Sequence, residues 1–348
     1  MEDAVPAENV RRSRFWLYTP FVLLFLIAVA WSIAWFVIRN RASEGLDAWF
    51  AAEARAGRQW TCQDRTMGGY PFRIEAVCAS LTLNQGPVTA LFGRVEAIAQ
   101  IYQPRLVVTE IEGPLRVTDG AVTVQGQWDL LQASIHVAPA GLQRLSLAAK
   151  APSVTVTGLT PNEITTSGQA LELHVRPNPS RGQEKAYDAA FSVKQARLPM
   201  LDALVGGGEP TDLDGDITVT QAEGFRGRPA REELERWRAA GGQLDILMLS
   251  GAKGPRRLEV KGDLRLDEQH RPMGQLTVAA AGLDGLLGNV TGNRASGALL
   301  GALLGQGPRA SAGSGKPQLT ALPPLRLENG FLSMGPFVIP NFRLQPLY

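Results

Sequence analysis

The sequence predicts a mainly β protein: an extended, curved antiparallel sheet, open as a groove or closed as a sandwich, with a few short helices and one N-terminal transmembrane helix before it. Three observations predict it. A charge-free run fills Phe15–Ile38, apolar and polar residues alternate with period two through most of the remaining chain, and only two cysteines occur, Cys62 and Cys78. Alternation of this kind marks half-buried antiparallel strands. The 37 glycines and 23 prolines suit many short strands joined by turns, and no βαβ rhythm calls for a parallel sheet.

Residues 1–14 read as a short cytoplasmic tail and 15–38 as the span, since ~20 apolar residues cross a bilayer core of ~30 Å. Arg11, Arg12 and Arg14 flank it on one side and Arg39 and Arg41 on the other, so basic residues alone do not orient it. Ala28-Val29-Ala30 is similar to a signal-peptidase site. The apolar run nonetheless continues to Ile38, far beyond an ordinary signal core, so a retained anchor is expected. Residues 39–58 read as a juxtamembrane helix with Leu46, Trp49, Phe50 and Glu53 at helical spacing, and 59–348 as one β domain. Asp119-Gly120 and Asn329-Gly330 are tight-turn signals, and Glu268–Pro272 suits a longer hairpin loop. Two insertions interrupt the strands. One is a helix at about 229–241, opened by Pro229, closed by Gly241-Gly242 and striped by Leu234 and Trp237. The other is a Leu/Gly/Ala segment with a flexible Gly/Ser/Pro loop at about 283–317.

Around the cysteines, a hairpin centred on Tyr70 would set Cys62 opposite Cys78, at a separation a disulfide tolerates. Such a bond persists in oxidising compartments and orients the domain outward, into the periplasm of a bacterial inner-membrane protein. Gly68, Gly69, Tyr70, Pro71, Phe72 and Arg73 form the tip of that hairpin, a dense cluster of conformationally special residues. Turn and disulfide explain them structurally; the functional alternative makes Tyr70 and Phe72 a docking point for lipid or a partner.

Chemistry-bearing patterns are sparse. His136 and His174 fall on polar strand faces and His270 in a turn, so all three are expected to face solvent and none is a general base. Gly313–Lys316 lacks the first glycine and the Ser/Thr of a phosphate loop, and Asp212–Asp216 lacks the glycine and glutamate spacing of a calcium loop. No catalytic, cofactor or metal residue is assigned and no enzyme is expected. A net charge of +2 without a basic stripe argues against nucleic acid as a partner.

At Trp60-Thr61-Cys62, Gly68–Arg73 and Cys78, with Leu325–Gly330 and Met334–Phe337 near the end, the chain resembles an uncharacterised family of membrane-anchored alphaproteobacterial envelope proteins. More loosely, Gly262–Asp267 and Met273–Val278 are similar to strand repeats of AsmA-like envelope proteins, elongated β grooves thought to handle lipid. The first resemblance implies architecture and location. The second implies a phospholipid or acyl chain as ligand; the apolar anchor makes the membrane a partner, a scaffold role would add an envelope protein, and no cofactor is expected. Two functions are compatible with both: a lipid-binding groove with residues 229–241 and 283–304 as its lid or plug, or a closed β scaffold of an envelope complex with no small ligand.

Overall fold

A computed structural model describes residues 15–139, 141–224, 230–282 and 319–348. The Leu/Gly/Ala segment and the loop expected at 283–317 lie outside the described residues.

The expected span and juxtamembrane helix are one continuous helix, α1 (Phe15–Arg55). Its second half, rich in Ala and free of proline, continues the first without a break despite Gly45. It stops at Gly57, which takes φ 81°, while the Arg58 N–H donates to the Glu53 carbonyl at 2.9 Å. Among the described residues α1 is the one helix long and apolar enough to cross a membrane, with a window of mean hydropathy 2.7.

The β domain is two large antiparallel sheets built from one alternating thread. β1 (Gln59–Gln63) starts the first sheet and β2 (Thr66–Gly68) the second. Thereafter each long strand bends once and passes from one sheet to the other. β3 (Arg73–Cys78) runs into β4 (Ser80–Gln85), β5 (Val88–Phe92) into β6 (Val95–Gln100), and β7 (Gln103–Ile111) into β8 (Leu115–Asp119). β9 (Val122–Gln127) continues as β10 (Leu130–Ala138), β11 (Gly141–Lys150) as β12 (Ser153–Thr157), and β13 (Ile164–Ser167) as β14 (Ala170–Pro177). The seven-stranded sheet is ordered β1-β4-β5-β8-β9-β12-β13, and β2-β3-β6-β7-β10-β11-β14 opens the sixteen-stranded one.

The bends line up as a crease. Their residues are Ala79, Gly93-Arg94, Glu112-Gly113-Pro114, Trp128-Asp129, Ala151-Pro152 and Gly168-Gln169, a set rich in residues that leave a regular strand easily. Neighbouring bends are hydrogen-bonded to one another: Ala79 N to Gln63 O at 2.9 Å, Glu112 N to Arg94 O at 2.8 Å and Ala151 N to Gln169 O at 2.9 Å. At Gly93 a Cβ would sit 2.6 Å from the Glu112 carbonyl, so this bend requires glycine. Trp128 adds a clamp, its indole N–H donating to the Ile111 carbonyl at 2.7 Å.

Beyond β14 the larger sheet continues alone through β15 (Tyr187–Ala196), β16 (Thr211–Val219), β17 (Leu244–Lys253), β18 (Arg256–Leu266) and β19 (Pro272–Ala281). β20 (Thr320–Ala321) and β21 (Leu325–Glu328) both pair with β19, and β22 (Phe331–Met334) and β23 (Phe337–Arg343) complete the sheet. Turns fall at Asp119-Gly120, Asn329-Gly330 and between β18 and β19, as expected. α2 (Pro199–Val205) comes after β15, and α3 (Ala230–Ala239) is the helix expected at 229–241. Trp237 of α3 is buried, donates to the Thr220 carbonyl at 2.8 Å and lies against Gly242.

Candidate functional site

Directly paired residues on adjacent strands put their side chains on the same face. In the larger sheet this rule generates one continuous apolar surface. One row runs Ile74, Ala99, Val107, Ile135, Leu145, Val175, then Ala189, Ile217 and Ile246. It passes Gly262 and continues as Leu276, Leu325 and Met334. Two residues along each strand, a second row holds Leu147, Leu173, Phe191, Leu249, Val260 and Val278. A third, nearest the crease, holds Leu131, Ala149, Leu171, Val193, Leu213 and Leu258. The smaller sheet has its own apolar row: Trp60, Leu83, Ala90, Val117, Val124, Val156 and Ile164.

The two apolar faces look at each other, as the disulfide proves. Cys62 lies two residues from Trp60 on the inner face of the smaller sheet, and Cys78 two from Ala76 and four from Ile74 on the inner face of the larger. They are bonded, with Cα atoms 5.2 Å apart. The pairing expected from sequence is right and its geometry is corrected. The hairpin register is Thr66↔Val77 and Gly68↔Glu75, while Cys62 pairs with Leu81 and Cys78 with Val95. The bond is therefore a stitch between sheets, not a rung across one hairpin, because the chain changes sheet between β1 and β2.

Exposure within this trough rises from crease to rim. Along β11 Ala149 is buried and Leu147 and Leu145 half-buried; along β10 Leu131 and Ala133 are half-buried, Ile135 is 40% exposed and Val137 46%. A sealed sandwich buries its inward leucines and valines completely. Here most of the inward leucines and valines stay half-buried, and the inward residues buried below a tenth are mainly small, among them Ala90, Ala149 and Ala280, with Val260 and Val278 among the larger ones. The trough is closed at its first end, where Trp49 of α1 packs on Trp60 and Trp60 stacks on Phe92, with ring centroids 5.9 and 6.4 Å apart.

The outer face of the larger sheet is polar. Lys194 Nζ holds the Asp214 carboxylate at 2.7 Å, which keeps its pKa below the ordinary value, and Asp212 accepts from the Gln195 backbone N–H at 2.7 Å. Asp212–Asp216 is thus strand, not loop. His174 is exposed and within 3.0 Å of Ser146 Oγ. His136 is exposed as expected, but His270 is corrected: it is half-buried, stacked on Tyr348 at 4.4 Å and 3.2 Å from Glu235. No group of three potential metal ligands occurs among the described residues.

The Gly68–Arg73 tip, which joins β2 to β3 at the edge of the larger sheet, packs on α1. Tyr70 Oη is 2.8 Å from Ser32 Oγ, the Trp31 indole donates to the Pro71 carbonyl at 3.0 Å, and the Trp35 indole donates to the Arg73 carbonyl at 3.0 Å. Arg39 Nε donates to the Met67 carbonyl at 3.1 Å, and Tyr70 meets Trp35 edge-on at 5.4 Å. Trp35 is only 4% exposed as a result. Gly69 takes φ 97°, and a Cβ there would lie 2.7 Å from the Arg73 carbonyl. Sequence reasoning missed Trp31, Ser32, Trp35 and Arg39 as docking residues; a polar Ser beside two Trp four apart, all inside an apolar run, was the available signal.

A family model described as "Uncharacterized protein conserved in bacteria (DUF2125)" matches residues 35–341. No curated protein and no solved structure matches the chain.

Proposed function

We propose that this chain, which belongs to the bacterial DUF2125 family, is a single-pass inner-membrane protein whose periplasmic trough binds lipid through its acyl chains. The observation that carries the reading is the apolar inner face left half-buried over many strands. From β10 to β19 that face crosses eight strands of the larger sheet, seven spacings of ~4.8 Å, and its three rows span ~13 Å. A partly covered apolar face of about 34 Å by 13 Å is comparable to the largest apolar patch of a typical monomer, and such patches are often ligand or interaction sites.

The anchor half of the proposal is supported by α1 and by the disulfide, which suits an oxidising compartment. The activity is binding and transfer without bond-making.

The test is to purify the full chain in a non-lipid detergent and record its native mass spectrum. Bound phospholipid, or stoichiometric uptake of a fluorescent fatty acid, is expected. A clean apo mass with no uptake overturns the trough and leaves the scaffold reading. Leu276→Asp, on the half-buried row, is expected to reduce uptake at least tenfold while the fold persists. Val278→Asp, at a position 6% exposed, is expected to destabilise the domain itself.

A further inference from the structure

We propose that the Gly69–Arg73 tip is a second membrane contact: a wedge lying against α1 within the interfacial layer of the outer leaflet, with Tyr70 and Phe72 set among the lipid. The inference rests on the reading of α1 as a membrane span but not on lipid binding in the trough.

Depth is the first argument. The charge-free run ends at Ile38, and the tip reaches back along it to Ser32 and Trp31. Ser32 lies six positions before Ile38, so at ~1.5 Å per residue the Tyr70 hydroxyl lies ~9 Å inside the end of that run. A bilayer that accommodates the run must accommodate the tip beside it.

The second argument is hydrogen bonding. Irregular backbone at membrane depth is tolerated only where its polar groups are satisfied by protein. At the tip the Met67, Pro71 and Arg73 carbonyls accept from Arg39, Trp31 and Trp35 side chains. The Phe72 carbonyl accepts from Ile101 N at 3.0 Å and the Gly69 carbonyl from Arg73 N at 3.1 Å. Pro71 has no N–H to satisfy. Water would have served these carbonyls on an aqueous loop, without two indoles from the helix.

The third argument is what remains uncovered. Tyr70 is 55% and Phe72 62% exposed, and Tyr102 in the adjoining β6–β7 turn is 70% exposed. Exposed aromatics at the end of a span form interfacial belts. The charges next to them are Arg39 and Arg73, which suit lipid phosphates, and the nearby Glu75 is paired with Arg73 at 3.1 Å. Ile74, the first residue of the first apolar row, comes directly after the tip, so the wedge would seat the trough's closed end at the bilayer surface.

Nitroxide labels on the full chain in phosphatidylethanolamine/phosphatidylglycerol nanodiscs test this, with the native disulfide kept oxidised. Labels are placed through Phe72→Cys, Tyr70→Cys, Leu24→Cys at mid-span and Glu163→Cys in the exposed loop after β12. Collision with oxygen and with a water-soluble nickel chelate then reports depth. Positions 70 and 72 are expected to be shielded from nickel at least fivefold relative to position 163, and less than position 24. Nickel accessibility at 70 and 72 equal to that at 163, with 24 shielded, overturns the wedge alone. An accessible position 24 overturns the span and the wedge with it. Dipolar broadening between copies at position 72 assigns the tip to a contact between two chains and equally overturns the proposal.

Discussion

Replacing Cys62 and Cys78 together by serine removes the disulfide that cross-links the two leaves of the trough away from the backbone bends. The residues are 16 apart in sequence. On the chain-entropy model, opening a loop of that length costs about 3 kcal/mol of stability. With a guanidinium m-value of roughly 6 kcal/mol per molar for a domain of this size, the unfolding midpoint falls by about 0.5 M. The stitch lies beside the crease bond from Ala79 N to Gln63 O and close to the stack of Trp49, Trp60 and Phe92. Loss of the bond should therefore also loosen that end locally, seen as earlier quenching of Trp60-region fluorescence than of global ellipticity. The assay is chemical unfolding of the full chain in detergent, oxidised wild type against the double serine variant, each with and without reductant. A shift below 0.1 M, or a wild type equally stable with and without reductant, refutes the argument that the disulfide holds the leaves together.

Other perturbations test other parts. Trp35→Ala deletes a buried indole and its bond to the Arg73 carbonyl, and is expected to cost about 3–5 kcal/mol, read as a lower midpoint and faster proteolysis near residue 70. Asp202→Ala leaves the Lys253 ammonium, 5% exposed, with the Glu209 carbonyl as its remaining hydrogen-bond partner among the described residues; a loss of about 3 kcal/mol is expected, and Asp202→Asn is expected to recover part of it. Glu235 is held at a pKa of about 2, first by its hydrogen bonds with Arg238 and then by Tyr348. Because the folded pKa is the lower one, its stabilising contribution is complete above the ordinary 4.5 and is lost as pH falls toward 2. Near-ultraviolet dichroism of the Tyr348 environment should change across that window in wild type and not in Glu235→Gln.

The strand pattern, the long apolar helix, α3 and the tight turns were all legible in sequence because each rests on local chemistry: period two, an unbroken apolar run, Pro229 ahead of Gly241, Asp119-Gly120. The crease was not. Gly93, Gly113-Pro114, Pro152 and Gly168 carry no distinguishing signal, because a turn that reverses the chain and a bend that sends it straight on into a second sheet use the same residue types. The same ambiguity misplaced Cys62. A symmetric hairpin about Tyr70 was the simplest register, but the chain had already changed sheets after Gln63. The docking of the tip on α1 joins positions about forty residues apart, Trp31 to Pro71 and Trp35 to Arg73. No periodicity carries such a contact.

Crease, disulfide and helix all act on the same problem. A sheet apolar on one face gains by covering it, so an open trough is stable only if its leaves cannot fold flat onto each other. Crease bonds fix the angle from one side, strand by strand, and the Gly93 approach leaves that bend no freedom. At the first end the disulfide and the Trp49–Trp60–Phe92 stack set a fixed separation that the next strands inherit through their register. Small residues line the bottom, Ala149 and Ala280 in the larger sheet and Ala90 in the smaller. Gly215 leaves room on the same face for the Phe191 ring. Filling that gap sets the two demands against each other. Gly215→Ala puts a Cβ into the Phe191 ring and should cost about 1–3 kcal/mol, with the ring displaced toward the cavity. If the trough is a binding site, fatty-acid affinity falls along with stability. If the leaves only scaffold, stability falls with no ligand signal to lose.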